Sequence, residues 1–127
     1  MKAESFGSLK VWYGIEIDSC LRRVGVSLQE LPWEDFNQLD YVLVEYVGEK
    51  EWEGLPLAEI VRMRKLCKIP MILAHPNIQS LEENFPLGIL VEVMRRHNIS
   101  LEITGGKRNP WVWGGRDVTP LGRINLS

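Results

Sequence analysis

The chain has 127 residues, 45% of them hydrophobic, with a formal net charge of −2, which describes one ordinary globular domain with a single core and excludes a disordered chain. The slightly acidic balance speaks against sequence-independent binding of duplex DNA, which relies on phosphate neutralisation by excess lysine and arginine. No run of about 18 apolar residues offers a membrane span, residues 1–10 carry no apolar signal-peptide core, and Cys20 and Cys67 form no Cys-x-x-Cys pattern; a cytoplasmic protein with two reduced core cysteines is expected.

In chain order, the first predicted strand runs over Lys10–Ile17, where Val11, Tyr13, Ile15 and Ile17 alternate with other residues. Ser27 and Glu30 then stand at capping-box spacing at the head of a helical stretch that reaches Gln38. Pro32 interrupts that stretch, so a short helix beginning at Pro32 is expected. A second strand is predicted over Tyr41–Val47, rich in β-branched and aromatic residues. A helix over Leu57–Cys67 places Leu57, Ile60, Val61 and Arg64 at helical spacing, with basic residues late. Pro70–Ala74 is the third strand. Asn84–His97 reads as a helix with Leu87, Leu90, Val91 and Met94 on one stripe, Arg95, Arg96 and His97 in its last turn, and Asn98 as its stop. Ile99–Ile103 and Leu121–Leu126 complete the strands. Between them, 104–120 is a glycine-rich segment carrying Trp111 and Trp113 beside Lys107, Arg108 and Arg116.

Strands alternating with helices at about 30 residues per unit predict an α/β fold of repeated βα units with parallel strands. Periodicity alone leaves a barrel and a doubly wound sheet open. In either architecture ligands bind at the carboxyl ends of the strands, and that edge is where the unusual residues fall. His75 follows the apolar run Ile72-Leu73-Ala74 and is followed by Pro76, which stops a strand. It is either a ligand-binding histidine or one that merely hydrogen-bonds at a strand end. Glu16 lies in Gly14-Ile15-Glu16-Ile17-Asp18, where a carboxylate among apolar neighbours is costly unless paired or metal-bound; an ion pair with Arg22 or Arg23 is the plainer alternative. Glu45 and Glu102 repeat the pattern in Val44-Glu45-Tyr46 and Leu101-Glu102-Ile103. Together they predict a polar pocket at one rim. His97 reads as a surface residue at a helix end. The two tryptophans of 104–120 read as packing groups more readily than as a stacking platform for a nucleotide.

The succession Gly14-Ile15-Glu16, Leu39-Asp40-Tyr41-Val42-Leu43, Ile72-Leu73-Ala74-His75-Pro76 and Leu101-Glu102-Ile103 resembles the PHP (polymerase and histidinol phosphatase) family, from about Val11 onward. The resemblance implies a partial or distorted TIM-like barrel whose relatives hydrolyse phosphoesters with two or three metal ions. It implies that Glu16 and His75 ligate a divalent metal (zinc, manganese or iron), with Asp18, Glu45 or Glu102 as candidates for a third ligand. Arg108 and Arg116 become candidate phosphate contacts, and a phosphorylated small molecule or a nucleic acid becomes the candidate partner. The family's opening His-x-His pair is absent, since the only histidines are His75 and His97. The histidine that follows the family's Asp-Tyr-Val strand is absent too, and so is its final Asp-x-His. Three arrangements fit these departures. The 127 residues are part of a longer barrel, or a catalytically inactive module that binds RNA or a protein partner, or a chain that completes its site and covers its sheet edges as a homo-oligomer.

Overall fold

A computed structural model describes residues 4–50 and 53–102. The predicted strand over Leu121–Leu126 and the candidate contacts Arg108 and Arg116 lie outside the described residues.

The chain begins with an antiparallel hairpin, β1 (Glu4–Phe6) and β2 (Leu9–Val11), paired Glu4 to Val11 and Phe6 to Leu9. Gly7, at φ 62°, takes the left-handed conformation that its two-residue turn requires. The single strand expected over Lys10–Ile17 is therefore two strands, β2 and β3 (Gly14–Asp18), separated at Trp12 and Tyr13. Asp40 causes the break. Its Oδ2 accepts the Tyr13 N–H at 2.7 Å, and its own N–H donates to the Tyr13 carbonyl at 2.7 Å. Those two bonds turn the chain out of the hairpin and align β3 beside β4 (Tyr41–Glu45).

β3, β4, β5 (Met71–Ala74) and β6 (Ile99–Leu101) form a four-stranded parallel sheet in that order, so each strand lies beside its successor. The register pairs Asp18 with Glu45 and Glu45 with Ala74, which brings the carboxyl ends of three strands level. One face of the sheet presents Ile17, Val42, Val44, Met71, Leu73, Ile99 and Leu101, all buried in one core with residues of every helix but the frayed ends. Each fully buried Val, Leu or Ile side chain contributes about 1.5–3 kcal/mol relative to exposure. The opposite face carries the row Glu16, Leu43, Ile72, Ser100, and above it Asp18 and Glu45. None of these six is fully buried.

The helices are shorter and more numerous than the sequence pattern predicts. Ser27 does cap through a capping box with Glu30, but it heads a single 3-10 turn, Leu28–Glu30. Pro32 ends that turn and precedes α1 (Trp33–Phe36). Trp33 locks the two together by donating its Nε1–H to the Leu28 carbonyl at 2.8 Å. α2 covers Leu57–Met63 instead of running to Cys67. The Arg64 guanidinium draws the chain into a turn there, donating to the carbonyls of Cys67 (2.6 Å), Ile69 (3.1 Å) and His97 (3.0 Å). The stretch after β5 holds a helix not foreseen in the sequence, α3 (Ile78–Asn84), capped by Asn77 Oδ1, which accepts the Ser80 N–H at 3.0 Å. α4 (Leu87–Arg96) starts after Pro86 rather than at Asn84, because Phe85 is extended and Pro86 supplies the helix start. The helix ends at Arg96, one residue before the expected His97, which becomes its C-cap; Asn98, the predicted stop, follows at φ 51°.

Candidate metal centre

β3 and β4 end in carboxylates, and β5 runs directly into His75. Parallel pairing stacks these termini side by side, so residues far apart in sequence meet at one rim. Glu16, Glu45 and His75 each bring one ligand atom to within 4.8 Å of the other two. Glu16 and His75 are exposed and Glu45 is half-buried, which leaves the cluster open to a ligand from solvent.

The backbone turns sharply just past the ligands. Tyr46 (φ 59°) and His75 (φ 47°) occupy the left-handed region, uncommon for residues other than glycine. Such conformations persist where surrounding contacts enforce them, and here the contacts are evident. The loop after β4 is tied to the loop after β5: Ser80 Oγ donates to the Gly48 carbonyl at 2.6 Å, and Asn77 Nδ2 donates to the buried Glu49 at 3.2 Å. Gly48 sits so close to Leu81 that an added Cβ would lie 2.7 Å from that side chain. This lock between the two loops was missed in the sequence. The only local signal was Asn77 three residues before Ser80, a helix-cap spacing.

The electrostatics at the rim favour a cation. Glu45 is pushed above its ordinary pKa of 4.5, first by burial, then by a hydrogen bond and charge repulsion from Glu16, with Asp18 adding to the repulsion and His75 opposing it. Burial and the nearby negative charge both disfavour the ionised form of Glu45. The Tyr46 phenol is also raised, chiefly by the Glu45 charge, and the Cys20 thiol is raised by burial and by Asp18. Burial leads for Glu45 and Cys20, and carboxylate charge adds to all three shifts.

Bonds of about 2.0–2.2 Å to nitrogen or oxygen set ligand atoms roughly 3.3–3.6 Å apart around a tetrahedral ion, so three atoms within 4.8 Å of one another would have to draw together by up to about 1 Å to share one ion. Two carboxylates and one imidazole form an oxygen-rich set that suits manganese, iron or zinc and leaves coordination positions for water or substrate.

The remaining candidates lie close by and make other contacts. Asp18 Oδ1 accepts the Cys20 N–H at 2.7 Å, which turns it toward the start of the following 3-10 turn. Glu102 lies beside the histidine, with Oε2 3.5 Å from His75 Nδ1. That is an ion-pair distance but not a formed hydrogen bond, and the same oxygen is shielded from solvent without a hydrogen-bond partner. Arg23 Nε donates to the Cys20 carbonyl at 3.4 Å. No helix among the described residues is long and apolar enough to cross a membrane.

Compared with models of known protein families, with curated proteins and with solved structures, the chain matches none.

Proposed function

We propose that the chain is a PHP-like, metal-dependent phosphoesterase module in which Glu16, Glu45 and His75 hold a divalent ion. The observation that carries this reading is the convergence of these three side chains, from three successive parallel strands, on one carboxyl rim. The order of motifs along the sequence supports it independently. In such a centre the ion supplies Lewis-acid polarisation of a phosphoryl oxygen and acidifies bound water. The chain's own residues supply the rest. Glu16 and Glu45 would offer carboxylate oxygens and His75 an imidazole nitrogen, and the tie through Asn77 and Ser80 keeps the second and third ligands in register.

The second reading is a PHP-like module that binds RNA or a protein partner without catalysis. One observation favours it: the cluster among the described residues holds ligands for a single ion, whereas a two-metal clamp on attacking and leaving oxygens needs more.

Metal content of the purified chain, measured by elemental analysis and by titration with Mn²⁺ and Zn²⁺, tests both. Stoichiometric metal in the wild type, weakened by more than about 100-fold in His75→Ala, is expected, since losing a direct ligand costs more than the 10- to 100-fold typical of losing a residue that only supports one. Hydrolysis of a generic phosphodiester or phosphomonoester by the loaded chain, absent in His75→Ala, then selects the enzyme. Stoichiometric metal without hydrolysis selects the binding module. A wild-type chain that takes up no metal ends the metal-centre reading.

A further inference from the structure

Glu102 presents a chemical oddity at this site. Its backbone is anchored, because its N–H donates to the Leu73 carbonyl at 2.9 Å and so extends the β5–β6 pairing by one residue. The anchoring places its side chain level with the end of β5, where His75 begins the turn. Its side chain is 36% exposed, yet Oε2 is shielded from solvent and accepts no hydrogen bond. A carboxylate oxygen kept from water without a donor is unfavourable unless a donor is near. His75 Nδ1 is such a donor, 3.5 Å away.

We propose that Glu102 is the positioning residue of His75: it accepts the Nδ1 proton, fixes the imidazole in the Nδ1–H tautomer, and so turns the Nε2 lone pair toward Glu16 and Glu45. This deepens the metal-centre reading and rests on it for its purpose, though the tautomer itself is a property of the metal-free chain. The chemistry is general. A histidine binds metal through one neutral nitrogen, and the hydrogen bond made by the other nitrogen decides which one is available and how the ring is oriented. The left-handed backbone at His75 gives the ring an unusual starting direction, and Glu102 is within reach to orient it. Glu102 comes from the neighbouring strand and is held by a backbone bond independent of the ligand cluster. It can therefore hold the ring before any ion arrives. The three carboxylates then divide their work by position: Glu16 and Glu45 toward Nε2, Glu102 beside Nδ1.

The test uses the full 127-residue chain with ¹⁵N-labelled histidine, in chelator and under alkaline conditions that keep the imidazole neutral. The His75 ring nitrogens are expected to show a protonated Nδ1 and a bare Nε2. Glu102→Ala should return the ring to the Nε2–H form that free histidine prefers and weaken Mn²⁺ binding by about 10- to 100-fold. Glu102→Gln keeps an acceptor at the same reach and should retain most of the wild-type tautomer with intermediate affinity; it also keeps the proposal testable if the alanine variant unfolds. Three results would overturn the proposal: a wild-type ring already protonated at Nε2, a tautomer unchanged in Glu102→Ala, or a Glu102→Gln chain that loses metal as completely as His75→Ala, which would make Glu102 a ligand itself. If the tautomer responds as expected while the wild type takes up no metal, the orienting role stands and the metal-centre reading falls.

Discussion

The two faces of the parallel sheet obey different rules. The helix-covered face is uniformly apolar: Ile17, Val42, Val44, Met71, Leu73, Ile99 and Leu101 interlock with Leu57, Ile60, Leu90 and Met94. The opposite face alternates in character along each strand, setting Glu16 and Asp18 beside Leu43 and Glu45. Parallel strands usually bury both faces; here the second face is only half-buried among the described residues, and its charge gathers at the carboxyl end. The comparison teaches that packing decides the first face and chemistry the second. On the second face carboxylates are tolerated because the rim is accessible, with Glu16 and His75 exposed and Glu45 half-buried, rather than sealed into the core.

Matched truncations on the two faces sharpen this contrast most. Leu73 is fully buried, so Leu73→Ala is expected to cost about 2–5 kcal/mol in urea denaturation. Leu43→Ala, on the half-buried face, should cost less than half as much, and equal losses would mean that the second face is as tightly packed as the first. Asn77→Ala comes next. It removes a helix cap and the donor to buried Glu49, with an expected loss of about 1–3 kcal/mol and a weakened metal site, because the loop carrying His75 loses its tie to the loop after Glu45. Unchanged metal affinity in a folded Asn77→Ala chain would show that the lock serves stability alone.

The smallest effect lies in the carboxyl pair and is read through pH. Glu45 titrates at about its ordinary 4.5 when unfolded and higher when folded. Between those two values the folded state holds the extra proton, so its stability contribution is complete below the unfolded value and is lost as pH rises through the folded one. In chelator, the thermal midpoint of the wild type should fall over that window. Glu45→Gln should flatten the fall and raise the midpoint above it, while abolishing tight metal binding. Parallel pH profiles for the two chains would remove the repulsion between Glu16 and Glu45 from the account of this rim.

Much of this was legible in the sequence, and the failures have identifiable causes. The sheet strands were readable as short apolar runs bounded by turn residues: those predicted over Tyr41–Val47 and Pro70–Ala74 form as Tyr41–Glu45 and Met71–Ala74. Helix ends were not, because long-range bonds set them: Arg64 stops α2 by reaching the carbonyls of Cys67, Ile69 and His97. The β2–β3 break escaped notice because Asp40, which makes it, lies 27 residues from Tyr13.

The sequence by itself determined the α/β class, the parallel run of strands and the cast of candidate ligands. A strand's carboxyl end is a local property, and polar residues there stand out against apolar neighbours. Only the tertiary structure decided their placement. The pairing of Asp18 with Glu45 sets the register at the rim, Asp18 accepts the Cys20 N–H, Glu45 comes within reach of Glu16 and His75, and the bond to Leu73 sets Glu102 beside His75. Each of these depends on contacts between segments distant in the chain, which no local pattern encodes.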